Sequence, residues 1–192
     1  VSVRTAAVPA SPPLPAAAIV GTVLVIAGDV MLFAGLLFVF WVLRLAAPVW
    51  PPPLQPRLPI GVTALNTVAL LASGVAVGAG VRAARRADAA RLTHRLGVGV
   101  LLGALFVVVQ GLEWMRLVRF GLTVTSGTYG ALFYTVIGAH ALHVLAALAW
   151  LVVVLALVRR ARVGHASVEA CALYWRFVVA LWPVLYVCVY LL

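Results

Sequence analysis

The chain has 192 residues, 66% hydrophobic and only 9% charged, against roughly 25% charged residues in a soluble domain, which excludes a soluble globular fold and marks an integral membrane protein. A net charge of +10 raises the question of a nucleic-acid partner. All 14 cations are arginine, however, and they cluster between apolar runs without the aromatic interleaving of a polar nucleic-acid domain, so nucleic acid is excluded as a partner.

In chain order, residues 1–16 are Pro-rich and read as a flexible lead. They lack the pattern of arginine followed by a short apolar run and a cleavage site that marks a signal peptide, so the first span is expected to target the chain. Five segments follow that are long and apolar enough to cross a bilayer, at roughly 20 residues each: about 17–45, 59–83, 95–117, 128–158 and 169–192. They predict an all-α, polytopic bundle of five transmembrane helices over 17–192, with no soluble domain around it.

Arginine placement orients the spans. Arg82, Arg85, Arg86, Arg91 and Arg95 crowd the second connection and Arg159, Arg160 and Arg162 the fourth; the first holds Arg44 and Arg57, and the third Arg116 and Arg119. The even connections and the N-terminus are therefore expected in the cytoplasm and Leu192 on the periplasmic side. In the first connection, Trp50-Pro51-Pro52-Pro53 forces the chain out of helix, because proline removes donors and fixes φ. Small residues in the second span (Ala72, Ser73, Gly74, Ala76, Gly78) and the fourth (Gly130, Gly138, Ala139, Ala141) read as ordinary close helix packing. Cys171 and Cys188 lie on one predicted helix about 25 Å apart at 1.5 Å per residue, too far to bridge, and read as packing residues.

Against this apolar background, Gln110, Glu113, His140, His143, Glu169 and Arg176 stand out. An ionisable side chain at bilayer depth costs a few kcal/mol, so it faces protein, a cavity or a partner. His140 and His143 share a helix face; they read as hydrogen-bonded structural histidines more readily than as haem or metal ligands, since the remaining histidines, His94 and His165, sit in or beside the cytoplasmic connections. Asp29 lies about 18 Å from the cytoplasmic end of its span and His143 about 22 Å from that of its own. The two can meet if their helices are neighbours, and the competing reading makes Asp29 a proton carrier. Glu169 and Arg176 lie on one face two turns apart. Either they pair, or Arg176 holds a lipid phosphate or a neighbouring subunit's carboxylate.

The ordered motifs resemble subunit III of the haem-copper respiratory oxidases, the cytochrome c oxidase polypeptide III family. The likeness begins at Gly28-Asp29-Val30-Met31-Leu32-Phe33-Ala34-Gly35, then Trp50-Pro51-Pro52, Leu65-Asn66-Thr67 and Leu70-Leu71-Ala72-Ser73-Gly74. Gln110, Glu113 and Trp114 match the third-helix pattern. The strongest likeness is Tyr129-Gly130 with Phe133-Tyr134, Gly138-Ala139-His140-Ala141-Leu142-His143-Val144, and Glu169 followed by Leu173-Tyr174-Trp175-Arg176-Phe177-Val178, Trp182 and Tyr186. The chain departs from the family pattern at Asp29 (a glutamate there), Arg176 (a histidine), Val179 (an aspartate) and Pro183 (an aliphatic), and the shorter bacterial form, without the two further N-terminal helices of the longest members, is expected.

What the resemblance implies is a non-catalytic accessory subunit of a bacterial terminal oxidase, in the plasma membrane, with no redox centre or metal of its own and with haem and copper in partner subunits. It implies packing against catalytic subunit I, with subunit II in the same complex, phospholipid held in a cleft, and support of proton uptake. Asp29, Gln110, Glu113, His140, His143, Glu169 and Arg176 would form a structural polar network, and Arg82, Arg85, Arg86 and Arg176 would hold lipid headgroups. A quinol oxidase subunit, or a relative attached to nitric oxide reductase, is the alternative within the family. An independent proton-coupled transporter using Asp29, His143 and Glu113 is the alternative outside it; against that reading, no inverted repeat of Gly/Pro-broken helices is visible.

Overall fold

The computed structural model of the chain describes residues 17–53 and 55–192; the expected lead at 1–16 lies outside the described residues. Five helices run α1 (Ala17–Ala46), α2 (Ile60–Arg85), α3 (Ala89–Arg119), α4 (Thr128–Arg159) and α5 (His165–Tyr186), and α5 passes into a π-helical turn, Val187–Leu191. Each is long and apolar enough to cross a membrane. Helices α2, α3, α4 and α5 form a ring of neighbours in that order, and α1 lies in the outer groove between α4 and α5.

The distribution of side chains is that of a bundle whose solvent is lipid. Leu24, Met31, Phe38, Leu65, Leu101 and Leu142 point outward, whereas Thr63, Asn66, Thr67, Ser73, Gln110, Glu113 and His140 are buried. Hydrocarbon offers no partner to a polar group, so such groups turn inward and bond across helices. Asn66 donates to the Phe106 carbonyl at 3.0 Å and Ser73 to the Gly99 carbonyl at 2.9 Å, joining α2 to α3. Trp175 donates to Ser73 at 3.0 Å and Trp182 to Thr67 at 2.8 Å, joining α5 to α2.

Two helices start four or more residues before their expected positions, both at arginine-rich connections. Helix α3 starts at Ala89 and not near 95, because Asp88 caps it, accepting from the Arg91 N–H at 2.9 Å; an aspartate N-cap satisfies one of the orphan donors of the first turn. Helix α5 starts at His165 and not at 169, its first turn carrying the polar His165 and Ser167. Pro183 inside α5 can make no bond to the residue four before it, and four residues later the helix widens into the π turn.

The tight turns at 86–88 and 160–164 close with paired bonds that run back over the last helical turn: Asp88 N–H to the Ala83 carbonyl and Ala87 N–H to Ala84; Arg162 N–H to Leu157 and Ala161 N–H to Val158. This closure needs a left-handed residue, usually glycine, yet alanine fills it at Ala87 (φ 56°) and Ala161 (φ 52°). A left-handed residue with a Cβ costs roughly 1 kcal/mol. Ala87→Gly and Ala161→Gly are each expected to stabilise the fold by about that amount, read as a raised midpoint in denaturing detergent; an unchanged or lowered midpoint contradicts the assignment of strain.

Candidate functional site

The seven polar side chains singled out in the sequence do not form one network. They fall into three groups and one isolated ring. The first group joins α1, α4 and α5: His143 Nε2 lies 3.3 Å from Asp29 Oδ1, and the Tyr174 hydroxyl donates to Asp29 Oδ2 at 3.0 Å. His143 Nδ1 lies 2.7 Å from the Ala139 carbonyl. A carbonyl only accepts, so the hydrogen bond assigns the proton of a neutral ring to Nδ1 and leaves Nε2 facing the carboxyl. Phe33 meets the His143 ring edge-on at 5.2 Å.

The second group lies toward the C-terminal end of α3. Buried Glu113 accepts from Arg116 Nη1 at 2.6 Å, one turn on, and Gln110 donates to the Tyr190 hydroxyl at 3.0 Å. Arg116 is largely exposed while the Glu113 side chain is only 8% exposed, so the arginine reaches back from the membrane boundary to neutralise a charge held inside, in the manner of a snorkelling cation. The π turn carries Tyr190 to its position against Gln110.

The third group sits at the opposite end of the bundle, and here the structure removes one of the two alternatives left open for Glu169 and Arg176. Glu169 does not pair with Arg176: its Oε1 accepts from Arg85 Nε at 2.9 Å and lies 3.2 Å from His165 Nε2. The antiparallel run of α2 brings Arg85 level with the first turn of α5, closer to Glu169 than a residue two turns along the same helix. Arg176 has no ion pair among the described residues. It lines a cleft of about 300 Å³ between α2 and α5, together with Arg82, over a floor that includes Gly74, Gly78 and Val179. Arg86 is exposed at the end of α2.

His140 stands apart, 1% exposed and, among the described residues, without a hydrogen-bond partner on either nitrogen. It stacks on Trp182 with ring centroids 5.2 Å apart, and Phe33 approaches its edge. Among the described residues no group of three or more His, Cys, Asp or Glu side chains is placed to hold a metal ion.

Sequence reasoning missed Tyr174, Tyr190, Ser73 and Thr67 as members of the polar interior. Tyr174 lies in a quoted motif, and the usable signal was general: a buried Tyr or Trp usually finds a partner for its O–H or N–H. It also missed Gly99 and Gly103 on α3. A Cβ on Gly103 would stand 2.7 Å from Trp175, and one on Gly99 would overlap Val77.

Comparison with known proteins gives a consistent picture. The family model described as cytochrome c oxidase subunit III matches residues 14–192. A protein of Synechocystis named cytochrome c oxidase subunit 3 is 34% identical over 176 residues, covering 90% of this chain and 74% of that protein. One from Nocardia farcinica, named probable cytochrome c oxidase subunit 3, is 34% identical, covering 89% of this chain and 86% of its own length. The cytochrome c oxidase subunit 3 of Gadus morhua is 34% identical, with 94% of this chain and 71% of that one aligned.

Proposed function

This chain belongs to the cytochrome c oxidase subunit III family, and on that premise we propose that it packs directly on catalytic subunit I of a bacterial plasma-membrane oxidase, beside subunit II, holds phospholipid, and supports proton uptake without redox chemistry of its own. Haem and copper then belong to the partner subunits. The single observation that favours a scaffolding role is the use made of the polar side chains: Asp29, His143 and Tyr174 bind three helices together, and Glu113 and Glu169 are each neutralised within the chain. Groups spent on one another in this way serve the bundle.

The lipid reading is supported by the cleft at Arg82 and Arg176. Two guanidinium groups over an apolar floor match an anionic headgroup with its acyl chain below, each juxtamembrane cation contributing about 1 kcal/mol. Arg85 is engaged by Glu169, so Arg82, Arg176 and exposed Arg86 are its main cationic candidates. Purification from native membranes tests the assignment as a whole. The chain is expected to travel with haem-bearing partners and to leave a haem-free fraction when stripped from them; isolation alone, with proton-coupled transport in vesicles, supports the transporter instead.

Orientation is proposed from the arginine clusters, with the N-terminus and the turns at 86–88 and 160–164 in the cytoplasm. With Cys171 and Cys188 replaced, Leu192→Cys is expected to react with an impermeant thiol reagent on intact cells and Ala90→Cys only after lysis. The reverse pattern inverts the topology.

A further inference from the structure

The end of the bundle that carries the α1–α2 connection holds a pocket of about 280 Å³ that shares Tyr190 with the Gln110 cluster. Its lining includes Arg44, Arg57, Trp50, Tyr129, Tyr190 and the last residue, Leu192. The Arg44 guanidinium lies 5.1 Å from the Trp41 ring centroid and 5.8 Å from that of Trp50. Two aromatic faces at that range attract and immobilise a guanidinium while leaving its N–H groups free to bond. Trp50 is itself fixed, edge-on to Tyr129 at 5.0 Å.

Neither Arg44 nor Arg57 forms an ion pair or side-chain hydrogen bond among the described residues, and Tyr129, only 6% exposed, has no partner for its hydroxyl among them. Two further features add positive potential. Ile60 and Tyr129, both in the lining, stand in the first turns of α2 and α4, and neither helix start has a side-chain cap. The Ile60 N–H is taken by the Leu58 carbonyl at 2.9 Å; the other first-turn N–H groups and the positive ends of the two helix dipoles face this end of the bundle.

We propose that this pocket is an anion site for a phosphate ester or free phosphate, bridged by Arg44 and Arg57 and donated to by the Tyr129 hydroxyl. A carboxylate offers two oxygens in one plane, whereas a phosphoryl group spreads its acceptors over a tetrahedron and can meet two guanidinium groups and a phenol at once. The flanking Trp41 and Trp50 are of the type enriched at the level of lipid headgroups, so a phospholipid headgroup and a phosphate from solution both have access.

To test it, the full chain, in the complex with which it purifies, is placed in phosphatidylcholine nanodiscs doped with phosphatidylglycerol, or without it in buffer containing inorganic phosphate. Native mass spectrometry counts retained phosphatidylglycerol, and phosphorus NMR line broadening reads phosphate binding. Wild type is expected to hold one anion that R44Q/R57Q loses and that Y129F binds about tenfold more weakly, as for one lost hydrogen bond to a charged group. Helical circular dichroism is expected to be unchanged in both. Phosphatidylglycerol retained against excess phosphate identifies the lipid source, and line broadening without retention identifies free phosphate. Equal binding by wild type and both variants overturns the proposal. So does loss of a partner subunit from R44Q/R57Q with neither anion signal altered, which gives the pocket to a partner's carboxylate.

Discussion

Asp29→Leu is expected to loosen the attachment of α1 by about 1–3 kcal/mol, whereas Asp29→Asn stays close to wild type. Leucine strands the Tyr174 hydroxyl and His143 Nε2, each a buried polar group left without its partner, and interhelical bonds in membranes sit at the lower end of such costs because the loosened helix finds other partners. Asparagine behaves differently for a reason visible in the geometry. With Nδ1 of His143 committed to the Ala139 carbonyl, neutral His143 presents a bare Nε2. An amide can donate to that nitrogen while its oxygen accepts from Tyr174, and no charge is left over. The readout is the detergent concentration at which the subunit leaves the purified oxidase, measured beside initial oxygen consumption and proton pumping. Asparagine as damaging as leucine would show that a charge, and not the hydrogen bonds, holds the cluster. Pumping that stops at once in Asp29→Leu, with the subunit and its lipid still bound, would put Asp29 on the proton route itself.

The same cluster shows what was legible in the sequence. Membrane class and the all-α bundle follow from composition and apolar run length, because hydrocarbon imposes one backbone solution on such segments. Depth along each span could also be counted, and it placed Asp29 and His143 within a turn of one another. Adjacency could not be counted: that α1 lies between α4 and α5 is set by how five helices pack. The partner of Glu169 was left open for that reason. Spacing along α5 pointed to Arg176, and the antiparallel neighbour α2 supplied Arg85.

Close helix approach was legible only in part for a related reason. A glycine in a transmembrane segment has no sequence mark that distinguishes one facing lipid from one facing a tryptophan. Gly97, Gly99 and Gly103 lie along α3, yet a Cβ at Gly97 meets nothing within 4 Å while one at Gly103 meets Trp175 at 2.7 and 2.8 Å and Leu148 at 3.2 Å.

That contrast carries the second large effect. Gly103→Ala is expected to destabilise the bundle by about 1–3 kcal/mol, the usual range for overpacking a filled interior, and Gly103→Leu more, whereas Gly97→Ala is neutral or slightly stabilising through helix propensity. Trp175 has no room to give: it is wholly buried, and its indole N–H is held at 3.0 Å by Ser73, which in turn donates to the Gly99 carbonyl at 2.9 Å. Pushing the ring therefore strains the α5–α2–α3 junction along its whole length. The clashing atoms are Cη2 and Cζ2 of the six-membered ring, and phenylalanine does not extend that far. Trp175→Phe alone is expected to cost stability, from a small cavity and a lost bond to Ser73. In the double variant Gly103→Ala/Trp175→Phe the added methyl fills part of that cavity, so the two losses are expected to sum to less than their separate values, a coupling of at least about 0.5 kcal/mol for residues in contact. Strictly additive losses would mean that the α3 backbone yields to the methyl and that the Gly103–Trp175 contact does not set how closely α3 and α5 approach.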